Sequence, residues 1–331
     1  MKKPLYLVVS LLAALALLLA ACVGATPVPP PEGVLRDRPT AAPVTVKIGM
    51  LPILDGLPLY VAEAKGYFAE QNVKVEFIPT ASAAERDQLM QGGQIDAMIN
   101  DLISTLFYNK DQVNIVIVRF ARTATSTYPQ YRILAGKDSG ITDVNGLKGV
   151  EIAISQGTVI EYITDRLLQA EGLADADIKT VAIPKIGDRL AALADGTVKA
   201  AAIPDPAAMA ALAGGAQVIV DDTRHPEYGN SVFSFSAAFV KDHPEAIKGF
   251  LAAYEKAVAE INADKTQWND ILLKNQLLSE ALIGKYTLPD YPAKSVPAEA
   301  QFKDVNEWAK AKGLVTANVS YAASVNPSFL P

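Results

Sequence analysis

Residues 78–101 read IPTASAAERDQLMQGGQIDAMIND, and residues 183–205 read IPKIGDRLAALADGTVKAAAIPD. Each stretch opens with Ile-Pro, runs through a helical segment to glycine, and gives a short apolar strand ending in polar residues. Working outward from the first copy, strand and helix signals alternate from Val44 onward: VTVKIGML, PLYVAEAKGYFAEQ, VKVEFIP, then the first copy, DLISTLFYNK and VNIVIVRFA. The rhythm breaks at RTATSTYPQY and resumes through RILAGK, GVEIAIS, VIEYITDRLLQAEG and the second copy to QVIVD. A second irregular segment, DDTRHPEYGNSV, precedes FSFSAAFV, read as a strand, and a long helix, HPEAIKGFLAAYEKAVAEINAD. Alternation of this kind predicts an α/β architecture with helices covering both faces of each sheet. With only two copies at a long period, the repeat is not a solenoid. It predicts two comparable lobes joined by two crossings, and ligands of open α/β sheets bind beyond the carboxyl ends of the strands.

Composition bounds the function. The chain has 331 residues, 50% apolar and 20% charged, ordinary for a folded protein with a large core, and a formal net charge of −6. No Lys/Arg cluster is present to neutralise a phosphate backbone, so no nucleic-acid partner is expected. His225, His243 and the single Cys22 cannot supply the usual zinc ligand set or a disulfide framework, so no metal and no cofactor are expected.

The N-terminus, MKKPLYLVVSLLAALALLLAAC, combines two lysines, an apolar core and small residues before the cysteine. That pattern is an export signal over 1–21, short for a membrane-spanning helix. Its Leu-Ala-Ala-Cys ending resembles a bacterial lipobox, in which Cys22 would be lipidated. Residues 22–43 shift to Pro, Ala, Thr and Val and read as an extended tether. The folded part is thus expected on the extracytoplasmic face of a cell membrane, held by lipid.

Several segments carry a further resemblance: VKIGMLPILDGLPLYVAEAKGYFAEQNVKVEFIP, LMQGGQIDAMI, DSGITDVNGLKGVEIAISQGTVIEYI, AFVKDHPEAIKGFLAAYEKA and VNPSFL. In order and spacing they resemble ABC-transporter solute-binding proteins of the nitrate/sulfonate/taurine and thiamine-pyrimidine (SsuA/THI5-like) family, over nearly all of the chain after Val44. The resemblance implies a type II periplasmic-binding-protein fold, with residues 44–127 and 228–331 as lobe 1 and 128–227 as lobe 2. It implies a hinge in 123–131 and 224–232, a permease and ATPase as partners, and no catalytic residue. An enzymatic branch of the family relies on a histidine and a cysteine cluster that this chain lacks.

Strand-end geometry and the resemblance together point to four places for ligand contacts. These are the loop 51–59 with Asp55 and Tyr60, the pair Asn100-Asp101, the stretch Ser155-Gln156-Gly157-Thr158 opening a helix, and Asp205. Helix capping explains Ser155, Thr158, Asn100, Asp101 and Asp205 equally well, and turn chemistry explains Asp55-Gly56. Tyr128 and Tyr131, in the first crossing, would offer ring faces to a flat ligand, or serve as hinge packing. The candidate loops hold three acids and no Lys or Arg, although Arg119, Arg122 and Arg132 lie near the crossing. Acids and amides favour a neutral, donor-rich ligand, which the resemblance narrows to a heteroaromatic vitamin or precursor, riboflavin ahead of the thiamine aminopyrimidine. The alternative is an alkanesulfonate, taurine or nitrate, which an arginine in the cleft would favour.

Overall fold

The computed structural model describes residues 42–331, so the signal segment, Cys22 and nearly all of the tether lie outside the described residues. Ten strands form two five-stranded sheets. The first contains β1 (Val44–Met50), β2 (Val73–Pro79), β3 (Ala97–Asn100), β4 (Ile115–Thr123) and β10 (Asn230–Ser236), in the order β2-β1-β3-β10-β4. The second contains β5 (Tyr131–Ala135), β6 (Glu151–Ile154), β7 (Lys179–Ala182), β8 (Ala200–Pro204) and β9 (Gln217–Asp221), in the order β7-β6-β8-β5-β9.

The two orders are one plan used twice. In each sheet three strands run parallel, with β1 beside β2 and β3, and β6 beside β7 and β8. The fourth strand, β10 or β5, runs antiparallel to both of its neighbours. That fourth strand is the first one the chain forms after each passage between sheets. The repeated unit therefore contributes β3 to the centre of one sheet and β8 to the centre of the other. This is the α/β architecture expected from the alternation of apolar segments.

One boundary differs from the sequence reading. FSFSAAFV is not a strand throughout: β10 ends at Ser236, whose hydroxyl accepts from Phe239 N (3.2 Å) and caps a short helix, Ala237–Asp242. A capping serine in mid-run overrides the apolar alternation.

Burial organises the rest. One core lies between β1, the helix Leu57–Ala64 and the long helix Pro244–Ala263, with Phe233, Phe235, Phe250 and Tyr254 fully buried. A second core runs from the helix Leu102–Asn109 through Val159–Ala170 to the C-terminal helix Glu299–Ala311. Although sequence order places Glu299–Ala311 with the first lobe, its side chains grip the second. Trp308 Nε1 donates to Asp165 Oδ2 (2.8 Å), Lys312 Nζ lies 2.6 Å from the same oxygen, and Arg166 pairs with Asp304 at 2.8 Å.

The two crossings are tied to each other. The buried carboxylate of Asp222 accepts from Gln130 N (2.8 Å) and Tyr131 N (3.2 Å), and Ala124 N donates to Gly229 O (2.8 Å). Gly229 is required there, because a Cβ would stand 1.9 Å from Asp222 Oδ2. Burial pushes the Asp222 carboxyl up to about 7, against the pull of the Gln130 and Tyr131 amides and Arg122, with Asp221 adding to the rise.

Two predictions follow from these contacts. Trp308→Phe removes the indole donor from a buried carboxylate and should cost about 1–3 kcal/mol in urea unfolding. For Asp222 the folded pKa lies above the unfolded value of about 3.9. Its contribution to stability is therefore fully present below pH ~4 and lost as pH rises to about 7, on the order of 4 kcal/mol at most. Urea melts at pH 4.5, 6 and 8 should show that loss in the parent, and Asp222→Asn should lack it.

Candidate functional site

A cleft with a cavity volume of about 60 Å³ lies between the carboxyl ends of the two sheets, where open α/β sheets place their ligands. Both copies of the repeated unit reach it in the same way. In the first, Ser82 caps the helix Ala83–Gln91, and Arg86 stands four residues past the cap, with Arg86 N bonded to Ser82 O (3.1 Å). In the second, Lys185 occupies the cap position of the helix Ile186–Ala194, and Arg189 stands four residues past it, with Arg189 N bonded to Lys185 O (3.1 Å). Both arginines line the cleft and both are almost fully buried, Arg86 at 2% exposure and Arg189 at 1%.

Their electrostatic situations differ. Arg86 donates to Asp87 Oδ1 (2.8 Å) and to Ile99 O (2.8 Å), and lies 3.9 Å from Asp101 Oδ2. Arg189 donates through Nη1 to Ile183 O (2.9 Å) and Pro184 O (2.8 Å), and has no carboxylate partner among the described residues. Its Nε makes no hydrogen bond. Burial without a counter-ion pulls its pKa down to about 10, which leaves it charged at neutral pH.

Each of the three expected acids is matched to an arginine. Asp55 lies 3.8 Å from Arg122 Nη1, accepts from Gln130 Nε2 (3.1 Å) and accepts a hydrogen bond from Ser231. Asp101 caps the helix Leu102–Asn109, accepting from Ser104 N (2.7 Å), and faces Arg86. Asp205 pairs with Arg132 Nε (3.0 Å) and accepts from the Tyr286 hydroxyl. Arg122 and Arg132 thus stand behind the cleft, bound to its acids. Arg119 is remote from it, paired with Glu255 (2.5 Å) and stacked 4.6 Å from the Tyr254 ring centre.

Of the eleven residues expected to contact ligand, seven line the cleft: Asp55, Asn100, Asp101, Tyr131, Ser155, Thr158 and Asp205. Capping and cleft-lining coincide at Asp101 and Thr158, the latter accepting from Ile160 N (3.2 Å). The other four stand elsewhere. Tyr60 packs on Phe77, with ring centres 4.8 Å apart, as part of the first core. Tyr128 sits under Lys265 Nζ, 5.7 Å away. Gln156 points to solvent, and Gly157, at φ +71°, uses its N–H to bond Glu161 Oε2 (2.8 Å). The residues at 156 and 157 make the turn that aims Ser155 and Thr158, without lining the cleft themselves.

The strand-end loops hold no arginine and Arg119, Arg122 and Arg132 do not line the cleft, yet Arg86 and Arg189 do. Both lie beyond the strand ends, a full turn into helices, where a search for strand-end residues does not look. The usable signal was the arginine common to the two copies, in AAERD and IGDRL. Gln130 and Ser231, which lie within the two crossings and also line the cleft, carried no motif.

Among the described residues, seven buried side-chain polar atoms lack a hydrogen-bond partner. Four belong to cleft-lining residues: Asn100 Oδ1, Gln130 Oε1, Ser155 Oγ and Arg189 Nε. Unmet hydrogen-bonding demand is therefore concentrated in the cleft, where a ligand can satisfy it. No cluster of three His, Cys, Asp or Glu side chains suited to a metal occurs among the described residues.

Comparison with known proteins agrees with this architecture. The profile described as "NMT1/THI5 like" matches residues 55–267. A putative aliphatic sulfonates-binding protein of Escherichia coli (strain K12) is 30% identical over 170 residues, 51% of this chain and 53% of that relative. The chain thus spans about half the length of that relative in the match. The riboflavin-binding protein RibY of Chloroflexus aurantiacus is 25% identical over 95% of both chains. Among solved structures, the alkanesulfonate-binding protein SsuA from Xanthomonas axonopodis pv. citri, bound to MOPS, superposes with a TM-score of 0.72 at 22% identity. That match covers 86% of this chain and 99% of SsuA. The desulfurization enzyme DSZB shares the fold at TM-score 0.65 and 16% identity, over 87% of this chain and 97% of its own. The fold is that of periplasmic solute-binding proteins, and the chain belongs to the NMT1/THI5-like family.

Proposed function

We propose that the chain is the extracytoplasmic receptor of an ABC importer and that its solute is a small organic anion, with aliphatic sulfonates foremost. The observation that carries this reading is Arg189, a guanidinium at 1% exposure in the cleft wall with no carboxylate partner among the described residues. A buried charge without a partner is costly, whereas an anion against it forms charge-assisted hydrogen bonds. Ser155, whose hydroxyl has no partner, supplies a further donor just before the helix Val159–Ala170. The relatives named for sulfonate binding support the same reading.

In this proposal residues 44–127 with 228–331 and residues 128–227 are the two jaws. The crossings 123–131 and 224–232 absorb the closing motion. Capture then hands the solute to the permease and its ATPase. Cys22 carries the lipid that holds the receptor at the membrane. No nucleophile or acid–base pair is assigned, so the proposal is of a binding protein and not an enzyme.

Riboflavin is the second reading, supported by the match to RibY across 95% of both chains and by the unpartnered acceptors of Asn100 and Gln130. Against it, the cleft lining offers a single aromatic ring, Tyr131, and riboflavin brings no anion to Arg189.

The expected result of titrating ethanesulfonate into the purified protein is saturable heat. Arg189→Met should weaken that binding by about 2–5 kcal/mol, roughly 30-fold or more. The same variant should leave the unliganded protein as stable as the parent or more so, because an uncompensated buried charge is gone. Saturable quenching of flavin fluorescence, with no response to sulfonates, would reverse the order of the two readings. Whichever ligand binds should raise unfolding stability by about 2.7 kcal/mol at 100 times its dissociation constant.

A further inference from the structure

The unmet demand in the cleft is of two opposite kinds. On the second-sheet side stand the Arg189 guanidinium and the Ser155 hydroxyl, both able to donate. At the end of β3 and in the first crossing stand two amide oxygens, which can only accept. Asn100 ends β3 at 2% exposure, and its Nδ2 donates to Asp101 O (3.2 Å), Ser104 Oγ (2.9 Å) and Thr105 Oγ1 (3.1 Å). Because a backbone carbonyl can only accept, the amide is fixed in this orientation, and Oδ1 is the atom left over. Gln130 is fixed in the same way. It is 2% exposed, and its Nε2 donates to Asp55 Oδ1 (3.1 Å) and Ser231 Oγ (3.2 Å), leaving Oε1 without a partner.

Charge narrows what these oxygens can take. An ammonium would be favoured by a spare carboxylate, and this wall has none. Asp55 faces Arg122 at 3.8 Å, Asp101 faces Arg86 at 3.9 Å, and Asp205 is paired with Arg132 at 3.0 Å. The same arginines would oppose an added cation. Two neutral acceptors backed by compensated ion pairs suit neutral O–H or N–H donors, the chemistry of a hydroxyl or a primary amide.

Building on the organic-anion reading above, we infer that the solute is two-ended: an anionic head held by Arg189 and Ser155, and a hydroxyl or amide group held by Asn100 Oδ1 and Gln130 Oε1. Asn100 and Gln130 are then the specificity-determining residues. A site with buried acceptors discriminates strongly against an analogue that lacks the donor, because the acceptors stay unpaired when it binds. Plain alkanesulfonates satisfy one end only, and aminoalkanesulfonates bring a charge the wall does not need.

Calorimetric titration of the purified protein with three matched series tests this. The series are ω-hydroxyalkanesulfonates of two to four carbons, the alkanesulfonates one carbon longer, and the ω-aminoalkanesulfonates of the same lengths. At the best-fitting length the hydroxy compound should bind at least about tenfold tighter than its alkyl counterpart, and tighter than the amine. Asn100→Ala and Gln130→Ala should each bring the hydroxy-to-alkyl affinity ratio toward one. Tighter binding of the alkyl or amino series, or a ratio unmoved in both variants, overturns this inference while leaving the anion reading intact. Absence of binding by all three series overturns the anion reading and this inference with it.

Discussion

A guanidinium withdrawn from water needs an anion, and the cleft is organised by which of its arginines already have one. Arg86, Arg122 and Arg132 face Asp101, Asp55 and Asp205 across 3.0–3.9 Å. Arg189 has only the carbonyls of Ile183 and Pro184. The acids that suggest a cleft for cations or neutral donors are thereby neutralised, and the unbalanced charge is positive. Net charge of the chain, −6, gives no hint of this, because it does not say which charges are buried or paired.

The repeated unit explains how the cleft acquires two arginines from opposite sides. Each copy passes from a strand through Ile-Pro into a helix and turns an arginine inward four residues past the cap. The strands that close the two units, β3 and β8, occupy the same place in their sheets, so the two arginines face a common space. Because β10 joins the first sheet only after both passages, that sheet is not complete without them. The hydrogen bonds of Asp222 to Gln130 and Tyr131 hold those passages together. That linkage also puts Gln130 at the junction of crossing and cleft, with its backbone bonded to Asp222 and its side chain lining the cleft.

Much of the fold was legible in the sequence, since apolar periodicity and Ile-Pro punctuation survive in any context. Strand-end logic also reached Asp55, Asn100, Asp101, Ser155, Thr158 and Asp205. It missed Arg86 and Arg189 because an arginine on an amphipathic helix usually faces solvent, and only tertiary packing shows that these two are buried. It misplaced Tyr60 and Tyr128 because aromatic residues beside a cleft and aromatic residues beneath it read identically. The pairing of each acid with an arginine spans 15 residues for Asp101 and 73 for Asp205, distances over which sequence pattern carries no sign. Read without those pairings, the acids suited a neutral, donor-rich ligand; with them, Arg189 carries the unbalanced charge.

The most direct measurement is the nitrogen-15 resonance of Arg189 Nε–H, assigned by its disappearance in Arg189→Lys and followed while ethanesulfonate is added. A free Nε–H that gains an anion should shift and exchange more slowly with water as the site fills. Binding that saturates while this resonance stays where it was would show that the anion sits elsewhere, and would contradict the central role given to Arg189.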